Sequence, residues 1–452
     1  MADRITVTTG SGSGVASSAG PRVARYIVAG QTQLGPVAAP RVIRSLTEYQ
    51  QVFGSRTGGA ALYDAAEFFF SNRAGEMVVQ RASGPSAVLA TIGLDSNKIV
   101  VTSRFPGSAY NSWTAAYTSA SKTLTIVKGS VTRTYTGADA AGLQSAASVD
   151  PDVTVTVTSL PASNVAATNL ASGTDDFANV NWATVLAKVT SLYGPGVMAV
   201  PGVAAANSAL AAAANPRRWA LLSSAATDSD STIVTAQGAI TTANRPFASY
   251  VTPPAGFVAD GTSGVKQIDA VTYFAAVRSL CIRTFGVGES PLRRQAHALV
   301  SGFTPIRDID DATHTTLEAA GVVTVRTLAS GVGIDVWKTA DGVGFNANLK
   351  DARYRDLVNA ITDEAWSTLD SLYVGSTASP SVLSAAESAL KAVCERYVPW
   401  LTGGDGEGYK VSVSPGVAPN DNRIAATISV RFLEGIEWID LTINVADAGQ
   451  SI

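Results

Sequence analysis

Apolar and polar positions alternate most regularly near the C-terminus. Ile424, Ala426, Ile428, Val430 and Phe432 alternate with Thr427, Ser429 and Arg431, the period of two of a half-buried strand. After Leu433-Glu434-Gly435 the alternation restarts in a new phase, with Ile439, Leu441, Ile443 and Val445 on the apolar face. A strand this well marked needs a partner strand, in its own chain or in a neighbour. The phase break separates a first strand from the terminal arm that follows it, 436–452 with Ile436 and Trp438. At the other end, Ile5, Thr6, Val7 and Thr8 form a short strand on the flexible tether of residues 10–14, either disordered or donated elsewhere.

Between the ends, the pattern predicts a strand at 26–29, a turn at 30–35, a strand at 42–45, helices at 47–53 and 60–72, and a strand at 77–81. Ser45 or Thr47 caps the first helix and Gly54 stops it. From about residue 90 to 172, short Thr-, Ser- and Val-rich strands replace this rhythm and predict an all-β insertion. Alternating helices and strands resume at 177, which implies a mostly parallel sheet. Its strands fall at 197–200, 219–223, 247–252, 322–327 and 333–337, and late helices at 354–372 and 380–397 precede the terminal strands.

Composition narrows the function. Charged residues make up 15% of the 452 positions, below the usual level of about 25%. A low-charge surface suits a chain covered by its own copies, although abundant small residues give the same figure. A net charge of −3 and no polybasic run argue against nucleic acid and anionic membrane as partners. No apolar signal core opens the chain, and the Ala-rich stretch at 197–215 is broken by Pro201 and Asn207, so no membrane insertion is expected. Cys281 and Cys394 read as two buried reduced thiols.

Chemical motifs are incomplete. The Gly30 to Gly35 spacing resembles a phosphate loop, but Pro36 and Val37 replace the required Lys and Ser/Thr. Asp308, Asp310, Asp311 and His314 could gather a metal, yet acids at a helix start also cap it. The 403–408 glycine loop brings two carboxylates, Asp405 and Glu407, too few for calcium. Only His297 and His314 supply imidazole, in no catalytic spacing. The expectation is no enzyme, no catalytic or metal site and no cofactor.

Residues 26–54 carry a resemblance. An apolar strand leads into Gly30, Gly35 and Pro36, then a strand, then a helix with Ser45, Glu48, Tyr49, Phe53 and Gly54. A Phe-rich helix, Gly75 and a strand ending at Arg81 follow; 105–117 adds a Pro-Gly-x-x-x-Asn turn; 317–341 adds a Gly-Val strand and a Val-Trp strand. In this order the motifs resemble those of contractile tail sheath proteins, over nearly the whole chain. Lys338-Thr339 departs from the pattern, as does 257–267, where the usual Ala-Arg-x-Asp is missing.

The resemblance implies an α+β, α/β multidomain chain. Residues 1–20 would be an arm, 21–90 and 173–345 the α/β core, 91–172 an outer β-rich insertion, and 346–452 a C-terminal domain ending in the arm. It also implies a phage tail-sheath subunit that polymerises helically around a tail tube, exchanges strands and contracts, with baseplate and tail terminator as partners. Such a protein assembles in the host cytoplasm and resides in the virion tail. A tailocin or injection-system sheath is the alternative; a nucleotide-binding α/β enzyme and a capsid- or adhesin-type protein are the rivals.

Overall fold

The computed structural model describes residues 22–56, 60–260, 264–292, 294–328, 331–336, 352–373, 379–415 and 424–433. The chain divides between Ala360 and Ile361 into two compact units. The first opens with β1 (Tyr26–Gly30), β2 (Arg41–Ile43), α1 (Leu46–Phe53), α2 (Ala60–Ser71) and β3 (Met77–Arg81). A β-rich stretch follows: β4 (Leu89–Leu94), β5 (Ile99–Pro106), β6 (Thr114–Thr118), β7 (Thr123–Lys128), β8 (Val131–Thr136), α3 (Ala140–Ala147), β9 (Val153–Val157) and β10 (Val165–Asn169). Alternation then resumes with α4 (Trp182–Ala187), β11 (Gly196–Ala199), α5 (Asn207–Ala213), β12 (Arg218–Leu222), α6 (Asp230–Ala239) and β13 (Ala248–Thr252). The hairpin β14 (Ala255–Asp260) and β15 (Gly264–Asp269) leads into α7 (Ala270–Phe285), α8 (Arg294–His297), β16 (Thr304–Pro305), α9 (Asp311–Ala320), β17 (Val323–Leu328) and β18 (Gly331–Val336).

Eight strands form the central sheet, in the order β18-β17-β13-β12-β11-β1-β3-β2. The middle six run parallel, and β18 and β2 close the two edges antiparallel to their neighbours. Every residue of β1, β3, β11 and β12 is buried. That follows from helices on both faces, and it explains the unbroken apolar runs in these segments. Tyr26 and Val28 enter a core with α1, α2 and α7; Ile27 and Ala29 enter the opposite core with α4 and α5. α7 is buried on nearly every side. The α1 helix starts as its sequence dictates: the Ser45 hydroxyl accepts from Glu48 N, and the Glu48 carboxylate accepts from Arg44 N.

The β-rich stretch builds a three-stranded sheet, β4-β5-β9, and a four-stranded sheet, β10-β6-β7-β8. Ile99, Val101, Val153 and Val155 share one core with Ala115, Tyr117, Leu124 and Ile126. The stretch is not all-β as its sequence suggests, because α3 lies within it. Asp139 caps that helix through Gly142 N, and only Leu143 and Ala147 turn inward, so its Ala-rich pattern gives little amphipathic signal. The β14–β15 hairpin was likewise not expected: its strands carry Gly256, Lys266 and Gln267 in place of a regular apolar alternation.

The second unit begins within α10 (Ala352–Tyr373) and continues through α11 (Pro380–Glu395), β19 (Tyr409–Pro415) and β20 (Ile424–Val430). Ala386, Leu390, Val393 and Cys394 form the buried side of α11. β19 turns Tyr409 and Val411 inward. β20 pairs with it antiparallel, setting Ile428 opposite Val411 and Val430 opposite Tyr409. The half-buried face expected of this last strand is incomplete: Ala426 is exposed, and Ile428 and Val430 are no more buried than Ser429.

Charge is buried in the β-rich core. Lys128 Nζ meets Asp150 Oδ1 at 2.5 Å and Asp152 Oδ2 at 3.0 Å, and the Tyr135 hydroxyl donates to the other Asp150 oxygen. Burial alone would raise the Asp150 carboxyl; the bonds from Lys128, Tyr135 and the Asp152 amide outweigh it and hold the group below the ordinary carboxylate range. We predict that Asp150→Asn costs about 3 kcal/mol, because it leaves the buried ammonium only the partly exposed Asp152 as counter-charge. With a lowered folded pKa, the ionised Asp150 stabilises above the unfolded carboxylate value of about 3.9 and loses that advantage as pH falls below it. Urea titrations of both proteins at pH 7 and pH 3 check this: the gap narrows at pH 3, and an equal gap contradicts it.

Candidate functional site

The motif residues of the first unit converge on Arg81, the last residue of β3. Its side chain is 0% exposed. Nη1 donates to Gly35 O at 2.7 Å; Nη2 donates to Pro106 O at 2.7 Å and to Asp175 Oδ1 at 2.8 Å. One guanidinium therefore joins the turn after β1, the end of β5 and the segment that leaves the β-rich stretch. The other Asp175 oxygen accepts from the Ser108 amide and hydroxyl, at 2.9 and 2.6 Å. Asn111 of the Pro-Gly-x-x-x-Asn turn exchanges two hydrogen bonds with Gly173. The buried Tyr110 hydroxyl accepts from Gly35 N at 2.9 Å; burial pushes its pKa up, so it stays neutral.

Gly35 fits because it has no side chain. Its φ is +101°, and a Cβ there would lie 2.7 Å from both Phe53 Cδ1 and Val52 O. Pro36 is buried, Gly30 packs on Leu62, and Gly54 ends α1 by donating to Gln50 O. Tyr49 and Phe53, ring centroids 5.3 Å apart, both turn from α1 into the core that Tyr26 and Val28 enter. The motif residues thus form a structural junction with the geometry of a clasp. Asp175 was not legible in advance: a lone Asp-Asp pair after Gly173 marks a turn, and its partner lies 94 positions away.

Ile5, Thr6, Val7 and Thr8 lie outside the described residues, as do Ile436, Trp438, Ile439, Leu441, Ile443 and Val445. What is described is the sheet they would extend. β19 and β20 stand as a two-stranded sheet with no third strand among the described residues. Beyond β20 the chain is tied down by Thr402 N to Arg431 O at 3.0 Å and Leu433 N to Trp400 O at 3.0 Å.

Several of the residues weighed as catalytic or metal candidates take part in a helix cap, ion pairs and a backbone hydrogen bond. Asp310 caps α9 by accepting from Thr313 N at 2.7 Å, and Asp311 pairs with Arg326 at 2.5 Å. His314 approaches Asp335 at 3.2 Å, and His297 accepts from the amide of Ile334. Asp405 pairs with Lys391 at 2.9 Å. Among the described residues no group of His, Cys, Asp and Glu is arranged to hold a metal. Both cysteines are free and buried. No helix among the described residues is long and apolar enough to cross a membrane.

No family model and no curated protein matches the sequence. The fold, however, is similar to solved structures along almost its whole length. The sheath tail protein of Listeria innocua superposes with a TM-score of 0.66 at 13% identity, covering 93% of this chain and 94% of that one. This is the fold of a contractile-tail sheath protein. The sheath tail protein of Desulfitobacterium hafniense gives 0.58 at 14% identity over 95% and 100% of the two chains. The anti-feeding prophage helical sheath in its contracted state gives 0.55 at 14% identity over 97% and 98%. The sheath fold accommodates a mixed α/β chain with several sheets, as here.

Arg81→Lys should lower stability by about 3 kcal/mol or more, because one ammonium cannot replace a planar fork that serves three acceptors. Urea denaturation measures this, and an unchanged midpoint would remove Arg81 from the junction.

Proposed function

We propose that this chain is the repeating subunit of a contractile sheath, polymerising helically around a tail tube and shortening to drive the tube through a host envelope. The likeness of fold over the full length of sheath proteins carries this reading. The two-stranded β19–β20 sheet supports it physically. β19 packs on α11, which steadies the ribbon, and a third strand would pair its outer backbone groups and add stability. The reading takes that strand from a neighbour's 436–452 arm, with the N-terminal arm, residues 1–20, as a second donor. Each added backbone hydrogen bond contributes about 1 kcal/mol net, and burying Ile439, Leu441, Ile443 and Val445 about 1.5–3 kcal/mol each. Such a joint holds while compact units slide past one another.

A head-to-tail contact that does not close produces a helix. Contraction is then a rigid-body rearrangement of units whose arms stay threaded. In this scheme 91–172 faces outward, 346–452 forms the C-terminal domain, and tube, baseplate and terminator are the partners. The role is structural, has no catalytic step or cofactor, and uses neither nucleic acid nor membrane insertion. A phage virion tail assembled in the host cytoplasm is the first setting. An R-type tailocin or an extracellular injection system is the second, favoured by the likeness to the anti-feeding prophage sheath.

Removing 436–452 should leave a folded, soluble subunit that forms no tubes; normal tubes in negative stain contradict the donated strand. Removing 2–9 should shorten tubes or lower their yield, and unchanged tubes count against the N-terminal arm. Removing 91–172 should spare assembly more than either arm deletion does.

A further inference from the structure

Two opposite corners of the first unit carry opposite surplus charge. At the β2 edge of the eight-stranded sheet lies a cavity of about 400 Å³, lined by Arg44, Arg73, Gly75, Glu76, Arg283 and the first residues of α1. Glu76 is the one carboxylate in the lining, and it serves Arg25 as well as Arg44. The nearby Glu48 carboxylate is turned to the Arg44 amide. Arg283 donates to the Arg73 carbonyl at 2.8 Å. Neither Arg73 nor Arg283 meets a carboxylate among the described residues, and both are exposed. Gly75 and Glu76 precede β3 and Arg44 follows β2, so this basic corner sits at the N-terminal ends of the parallel strands. The acidic corner lies diagonally across. The Asp308 carboxylate accepts from Thr327 N near the end of β17, and Asp310 and Asp311 open α9 beside it. The cations at hand are engaged: Arg326 pairs with Asp311 and Asp335, and Arg307 with Asp230. Asp335 also faces His314 at 3.2 Å. Asp308 and Asp310 are exposed and bonded to amides, and no ion pair reaches either among the described residues. β17 stands six strand spacings from β2, roughly 29 Å at about 4.8 Å each.

We infer that the arginine cavity of one copy receives the Asp308–Asp311 corner of a second copy, first unit against first unit. Charge selects this pairing. Two cavities face to face, or two acidic corners, bring like charges together, which disfavours a two-fold dimer through either patch. Basic against acidic is attractive, and a guanidinium meets a carboxylate with two parallel charge-assisted hydrogen bonds. The shapes agree as well: the arginines line a concavity, and the carboxylates stand on an exposed helix start. Because both corners belong to one compact unit, each copy gives one and receives the other. Such a contact is heterologous and passes from copy to copy. The inference rests on the helical assembly proposed above and names a contact within it that involves neither terminal arm.

Charge reversal tests it on the full chain. Arg73→Glu with Arg283→Glu makes both corners acidic; Asp308→Lys with Asp311→Lys makes both basic. Asp310 stays in place because it caps α9. Thermal melts confirm that both variants fold. Each alone should self-associate about tenfold more weakly than the unaltered chain at low salt, read by sedimentation velocity. An equimolar mixture of the two should recover association, because each corner then meets its opposite on the other variant. Added salt should weaken the mixture and the unaltered chain alike. Arg73→Lys with Arg283→Lys should keep most of the association. Variants that each associate as the unaltered chain does, or a mixture no better than either variant alone, overturn the contact. Complexes in the mixture with no tubes keep the contact and count against the sheath reading; normal tubes from each variant alone keep the sheath reading and remove the contact.

Discussion

A single buried guanidinium organises the first unit. Arg81 ends the strand beside β1, and its donors reach a turn, a strand end and a carboxylate from three separate stretches of chain. A cation removed from water must be paired and hydrogen-bonded, and Nη1 and Nη2 of Arg81 meet this with three acceptors, which ties the position of those partners to β3. The β-rich stretch is therefore anchored where it leaves and where it re-enters the α/β layers, and the Gly35 turn is held against α1.

The second unit shows the opposite economy. Its sheet has two strands among the described residues, and on β20 Ala426 is exposed while Ile428 and Val430 are only half-buried. β1, β3, β11 and β12 are buried on both faces, whereas this ribbon keeps a half-open face that, under the proposed sheath role, a neighbour's strand would cover.

The parallel strands were legible because burial on both faces writes continuous apolar runs, and α1 was legible because Ser45, Glu48 and Gly54 mark its two ends. The capping role of Asp310 was legible for the same reason: an acid before a helix has a local partner. Other features depend on contacts that sequence spacing does not reveal. The Arg81–Asp175 bond spans 94 positions. α3 lacks an apolar stripe wide enough to betray it. β14 and β15 take their pairing from each other and from β16 rather than from a regular alternation. The β20 alternation was legible as a strand, but its exposure was not, because a sequence does not state which chain covers a face.

The most direct test is a helical reconstruction of the assembled protein at a resolution that traces the backbone through residues 436–452. The account predicts that this segment leaves its own subunit after Leu433 and hydrogen-bonds as an added strand to the β19–β20 sheet of a neighbour. A trace in which the segment folds back onto its own β19–β20 sheet, with subunits joined by surface contacts alone, would contradict it.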